Sequence, residues 1–313
     1  MLSRNYLFKR ISHIVPTLLG ASLLIFILFN LLGTDPAIVL GGKYVTLERA
    51  AEIRHKLGLD KPLFVQYLEV LKSFFTFNFG KSWYTEEKIG FMIKNASVIS
   101  LSFAAPAFII TIFLSVSLSL YAAFYKDKWI DRLIVIGSVA LMSISLLSYI
   151  FFGQYVFAYQ LGWFPITGYE EGVPYCIPYI ILPCLIFVIL GIGYDIRFYR
   201  TVLLDQLYQD YVRTARAKGL SNFAILFKHV LKNAMIPILT NSILQIPSLI
   251  LGSVLIESFF SIPGLGSLLT EAVQKSDLPV IKSIAIVLCV SYVLCTFIAD
   301  MLCALVDPRV KLT

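Results

Sequence analysis

Six long apolar blocks constrain this chain more than any other feature. They run roughly over Ile11–Leu32, Ser97–Phe124, Leu133–Tyr159, Ile177–Tyr194, Ile236–Ile256 and Ser283–Val306. A helix needs about 20 such residues to cross a hydrocarbon core of about 30 Å. Lipid offers no partner to a backbone N–H or C=O, so each block has to be a helix that satisfies its own backbone. Pro16, Pro106, Pro183 and Pro247 fall inside blocks and predict kinks, not ends. Composition agrees: 58% of the 313 residues are hydrophobic and 14% are charged, where a soluble domain carries about 25% charged. An ordinary soluble enzyme and a disordered chain are both excluded. The first block follows Arg4, Lys9 and Arg10, as a signal peptide would, but it is too long for an h-region and lacks a small-x-small cleavage site. It reads as an uncleaved span.

The net charge of +7 matters less than where the charge lies. With the N-terminus inside, residues 1–10, 125–132, 195–235 and 307–313 hold 15 Lys and Arg, while the short loops 159–176 and 257–282 hold two. Segment 33–96 carries nine basic and seven acidic residues, and a loop that long votes weakly under the positive-inside rule. The expectation is an all-α integral membrane protein with six transmembrane helices and both termini cytoplasmic. Its parts are a short N-terminus with the first helix (1–32), an extracytoplasmic loop with amphipathic helices (33–96), a five-helix core (97–306) and a cytoplasmic tail (307–313).

Two polar segments have patterns of their own. In 33–96, Thr46 is placed to cap a helix over Leu47–Leu57 that Gly58 stops. Pro62 opens a second helix, whose Phe64, Leu68, Leu71 and Phe75 form one apolar stripe. That stripe predicts packing on the bundle or along the membrane surface. In 195–235, Leu204, Leu207, Tyr208, Tyr211, Val212 and Ala215 recur at helical spacing, with Arg213 and Arg216 on the other side. Gly219 ends this helix at positive φ, and Ser221 caps the next. There Phe223, Leu226, Phe227, Val230, Leu231 and Ala234 repeat the period. A plain connector needs no stiff, basic helix–glycine–helix. A lever acting on a soluble partner does.

The run DYVRTARAKGLS (Asp210–Ser221), followed by HVLKNAMIP (His229–Pro237), resembles the cytoplasmic loop of ABC-importer permeases. Ala215, Gly219 and Leu231 fit the general form of that loop. Arg213, Thr214, His229 and Lys232 depart from it, as they do in the dipeptide/oligopeptide/nickel branch. GTDPA (Gly33–Ala37), LGLDKPLFVQY (Leu57–Tyr67), FGKS (Phe79–Ser82), ESFFSIPGLGSLL (Glu257–Leu269), SDLPV (Ser276–Val280) and DPRV (Asp307–Val310) extend the likeness over nearly the whole chain, to the first permease of those systems. Asn78, Ser276 and Thr296 differ from the usual residues, and they bear on substrate preference more than on mechanism.

The resemblance implies the type I importer architecture and a bacterial inner-membrane location. It implies a second homologous permease, two cytoplasmic ABC ATPase subunits and an extracytoplasmic binding protein as partners, with peptide as cargo. The coupling residues it implies are Tyr211, Arg213, Thr214, Ala215, Arg216, Ala217, Lys218, Gly219, Leu220 and Ser221. Nickel or another metal chelate is the alternative cargo. A stand-alone secondary carrier or channel is the alternative class, although such proteins tend to show internal repeats, and none is visible.

Other signals carry less. Gly80-Lys81-Ser82 has Phe75 where a phosphate loop requires its first glycine, and Gly264-Leu265-Gly266 has Leu269 where a dinucleotide fingerprint requires its third. The latter reads as a tight turn after Pro263. His13, His55 and His229 match no metal spacing, and the five cysteines form no CxxC pair. No catalytic group, metal site, cofactor or nucleic-acid partner is expected, and ATP hydrolysis belongs to separate subunits. Asp300, inside the last span, reads as a partner for an arginine or as a place on the substrate path. Glu257 is placed to face the outer mouth.

Overall fold

The computed structural model describes residues 4–31, 41, 45–56, 59–172 and 174–306. GTDPA, Leu57, Gly58, DPRV and the tail lie outside the described residues. Helix α1 is Arg4–Phe26, continued by a π-helical turn at Ile27–Leu31. Two short helices follow, α2 (Leu47–Lys56) and α3 (Leu63–Thr76). The bundle continues with α4 (Ile89–Phe124), α5 (Trp129–Ser143), α6 (Leu146–Gly153, then π-helical Gln154–Gln160) and α7 (Ile177–Leu207). Next comes the small α8 (Asp210–Ala217). Helix α9 runs from Asn222 through a π-helical turn at Ile225–Val230 to Leu251. It is followed by α10 (Val254–Phe260), α11 (Leu265–Gln274) and α12 (Leu278–Val306).

Among the described residues, five helical stretches are long and apolar enough to cross a membrane, and α5 with α6 makes a sixth if the bent pair is one span. Helices α4 and α7 pack most extensively; α9 lies against α12, α5 against α7, and α1 against α12. Small residues set the α4–α7 distance, because a Cβ on Gly191 would meet Thr111 Cγ2 at 2.9 Å. Close approach of this kind drives helix association where lipid removes the hydrophobic contrast. We call the end carrying α8 the basic end and the opposite one the far end.

The structure departs from the expected spans in three places. The third span is not one helix over Leu133–Tyr159 but a pair bent by 90° at Ile144–Ser145. Ser145 re-caps the chain there by accepting from Ser148 N at 3.2 Å. The fifth span breaks at Gly252, where φ is 67°, and Ser253 caps α10 through Ile256 N. The fourth span does not stop at Tyr194 but continues as helix to Leu207, so much of 195–235 is bundle and not loop. In α3, the buried face is Gln66, Val70 and Phe74, whereas Phe64, Leu68 and Phe75 are exposed. Leu71 is half-buried, so most of the stripe faces away from this chain, which leaves the membrane surface as its expected placement.

The segment beyond α9 is organised by Glu257, which is fully buried and does not face a mouth. Its Oε1 accepts from Ser100 Oγ at 2.7 Å, and its Oε2 accepts from Ser267 N at 2.9 Å. Ser100 Oγ in turn accepts from Leu265 N at 2.8 Å. One carboxylate thus joins α4, α10 and the start of α11. The glycine pair leaves room for it, since a Cβ on Gly264 would lie 2.5 Å from Glu257 Oε2. The same logic fixes the Asn78–Trp83 segment, where Asp277 accepts from Ser82 Oγ at 2.5 Å and from Trp83 N at 3.3 Å. Ser82 of the GKS run is thus a structural tie. Glu257→Ala should strand two buried donors and lower the unfolding free energy of the solubilised protein by about 2 kcal/mol or more. Glu257→Gln, which still offers one oxygen, should lose less. Thermal unfolding in detergent checks both.

Candidate coupling site at the basic end

Helix α8 is an amphipathic stub anchored by one face. Val212 and Ala215 are buried in a cluster with Leu120 and Ala123 of α4, Tyr199 and Leu203 of α7, and Ile225, Leu226 and Val230 of α9. Tyr211 is half-buried, and its hydroxyl donates to Gln206 Oε1 at 2.9 Å. Arg213, Thr214, Arg216, Ala217, Lys218, Gly219, Leu220 and Ser221 are all exposed. Expected as one set, the coupling residues thus divide between an anchor and an outward face. Arg213 lies 3.5 Å from Asp210, with both side chains largely in solvent, a pairing that contributes little.

The stub has a hinge on each side. The helix expected to run from Leu204 to Ala215 is interrupted: α7 ends at Leu207 and α8 begins at Asp210. At this joint the Lys126 ammonium hydrogen-bonds the Tyr208 hydroxyl, and that contact raises the Lys126 pKa above the usual lysine value. At the other side Gly219 has φ +80°, a conformation costly for any residue with a Cβ. Ser221 Oγ then accepts from Ala224 N at 3.3 Å and starts α9. The expected apolar stripe of this helix divides. Leu226, Val230 and Ala234 are buried, while Phe223 and Phe227 are exposed with ring centroids 4.4 Å apart. The tip thus offers three basic side chains beside an aromatic pair.

Inside the bundle, polar side chains tie the helices that leave this site. Asp195 on α7 accepts from Gln245 at 3.0 Å and from Asn241 at 3.3 Å, both on α9. Its Oδ2 has no partner among the described residues. One turn along, the Tyr199 and Ser242 hydroxyls are 3.1 Å apart. Arg200 grips Asp131 of α5 through two bonds of 2.6 and 2.7 Å. Asp300 pairs with Arg10 of α1 at 2.9 Å, which makes it an interhelical staple. Asp195 escaped sequence reading because the apolar run stops at Tyr194. The helical period of Tyr199, Val202 and Leu203 beyond it was the available signal.

These features describe a multi-span bundle that carries an exposed basic stub anchored among three long helices at one end. Residues 115–312 match the family model for the binding-protein-dependent transport system inner membrane component, and residues 1–115 match the model for its N-terminal part. The chain belongs to this family: it is a permease subunit of an ABC importer, a multi-pass protein of the bacterial inner membrane. It is 36% identical over 308 residues to a protein of Brucella abortus named as a peptide transport system permease, covering 97% of this chain and 98% of that one. It is 31% identical over 307 residues to the glutathione transport system permease of Salmonella typhimurium, covering 98% and 99%.

Gly219→Ala should strain the turn by about 1–2 kcal/mol without touching the core, since nothing lies within 4 Å of the added Cβ. Hydrogen exchange should therefore quicken over residues 218–224 while α4 and α7 keep their protection.

Proposed function

We propose that this permease carries peptides, pairs with a second permease of the same kind, and is driven through α8 by two cytoplasmic ATPases. An extracytoplasmic binding protein delivers the cargo. The basic end then faces the cytoplasm together with both termini, as the distribution of Lys and Arg supports.

The observation that carries the coupling role is the shared anchor of α8. Val212 and Ala215 sit among side chains of α4, α7 and α9, so a push or pull on the exposed Arg213–Leu220 surface reaches three spans at once. Close-packed interiors pass such displacements on without absorbing them. The Asp195–Gln245 and Tyr199–Ser242 contacts hold α7 to α9 deeper in the bundle, so the two spans respond together. ATP hydrolysis stays in the partner subunits, and this chain supplies the path and the lever. The cargo assignment rests on the relatives named for peptide and glutathione transport.

Arg216→Glu and Gly219→Asp should each abolish co-purification of the ATPases and reduce uptake of a labelled short peptide at least tenfold. Full uptake and assembly in both variants would sink the lever. Nickel uptake is followed in parallel, and its loss without peptide loss would change the cargo while keeping the machine. A C-terminal fluorescent-protein fusion should be bright in cells, as it is when that terminus is cytoplasmic. Reconstituted without partners, the chain should move no substrate down a gradient; transport there would point to a self-sufficient carrier.

A further inference from the structure

At one depth of the bundle, two open faces have opposite chemistry. Helices α5 and α7 run antiparallel there: a Cβ on Gly193 would lie 2.8 Å from the Ser138 carbonyl oxygen, and Arg200 grips Asp131. Between those two contacts α5 presents Leu133 and Ile136, which are 60% and 68% exposed, as side chains that meet lipid are. Between the same contacts α7 presents Tyr194 and Arg197, both exposed. Leucine and isoleucine mark this level as hydrocarbon on the α5 side. A charged residue in a span almost always faces a bundle interior or a water-filled cavity, so the open side of α7 is where water reaches the same level.

The polar surface extends beyond one residue. Tyr194, Arg197 and Thr201 recur at i, i+3 and i+7 and are all exposed, which puts them on one face of the helix. Asn241 and Gln245 of α9, the donors to the buried Asp195, are themselves half-exposed. Both lie well inside the apolar block Ile236–Ile256, and Ser248 is exposed one turn further on. Because both amides reach the residue next to Tyr194, the polar surfaces of α7 and α9 share one level of the bundle. Arg200 is held by Asp131, whereas Arg197 makes no ion pair among the described residues. Asp205, also exposed, is about 12 Å further along the helix.

We propose that the Tyr194–Arg197–Thr201 face, with Asn241 and Gln245, lines the water-filled path through the importer, and that Arg197 takes a carboxylate of the passing peptide. The second permease closes the other side of that path. A guanidinium matches a carboxylate with two parallel hydrogen bonds, and its exposure to water keeps the grip weak enough for release. The carboxylate role rests on the peptide cargo proposed above; the path assignment holds for any water-soluble cargo.

The test uses the assembled importer in inside-out membrane vesicles. Tyr194→Cys and Arg197→Cys are treated with a membrane-impermeant methanethiosulfonate, and modification at each site is read by mass spectrometry. Both should react at least about tenfold faster than Ile136→Cys, because the reactive thiolate forms in water. Cells are then compared for uptake of Ala-Glu-Ala and Ala-Lys-Ala, a ratio in which the shared binding protein's own preference cancels between variants. Arg197→Gln should lower the ratio of acidic to basic peptide about threefold, the size of an exposed ion pair. Arg197→Glu should lower it further, and Arg197→Lys should restore most of it. Slow modification of both cysteines, at the rate of Ile136→Cys, overturns the path assignment. An unchanged ratio in Arg197→Gln and Arg197→Glu overturns the carboxylate role. If the unmutated importer takes up neither peptide, the peptide cargo fails and the carboxylate role with it, while the labelling still decides the path.

Discussion

The backbone hydrogen bond in hydrocarbon is the constraint on which the rest of this structure depends. An unmet N–H or C=O in lipid costs several kcal/mol, so helix is the default, and each interruption has to be repaired by a side chain. At Ile144–Ser145 the repair is the Ser145 hydroxyl on Ser148 N; at Gly252–Ser253 it is the Ser253 hydroxyl on Ile256 N. Beyond the second break, Ser100 and Glu257 supply acceptors for Leu265 N and Ser267 N. The bends of this bundle occur where polar side chains make bending tolerable.

The same economy shapes the basic end. Helix α8 is too short to be stable alone, and it persists because Val212 and Ala215 share a core with three long helices. Its exposed face is left with little to do within this chain, as the solvent-facing Arg213–Asp210 pair illustrates. Rigidity below and unfilled chemistry above are the two properties a docking element requires. The bidentate Arg200–Asp131 pair extends the anchor to α5.

Much of this was legible in the sequence, and the failures have physical causes. Apolar length located the spans because lipid leaves one local solution. Thr46, Gly219 and Ser221 were readable because cap and turn chemistry is local; Arg49 N reaches Thr46 Oγ1 at 3.4 Å, as a cap should. The extent of α7 was not readable. Asp195 and Arg200 look like loop composition until their partners on α9 and α5 are known. The stripe on α3 was readable only as a pair of alternatives, because periodicity reveals that an apolar face exists, not whether protein or lipid meets it. Glu257 was misassigned to the mouth because a buried carboxylate and its Ser100 partner lie far apart in the chain.

The pairing of Arg10 with Asp300 spans 290 residues, and it sets an order on the making of the protein. The first helix enters the membrane while its acidic partner is still unsynthesised, and nearly the whole chain must be inserted before the two meet. Ser100 waits in the same way for Glu257, and Asp131 for Arg200. The bundle therefore closes from both ends of the sequence at once, and only late. A ribosome that stalls before residue 300 releases a set of inserted helices without the ion pair between the first of them and the last.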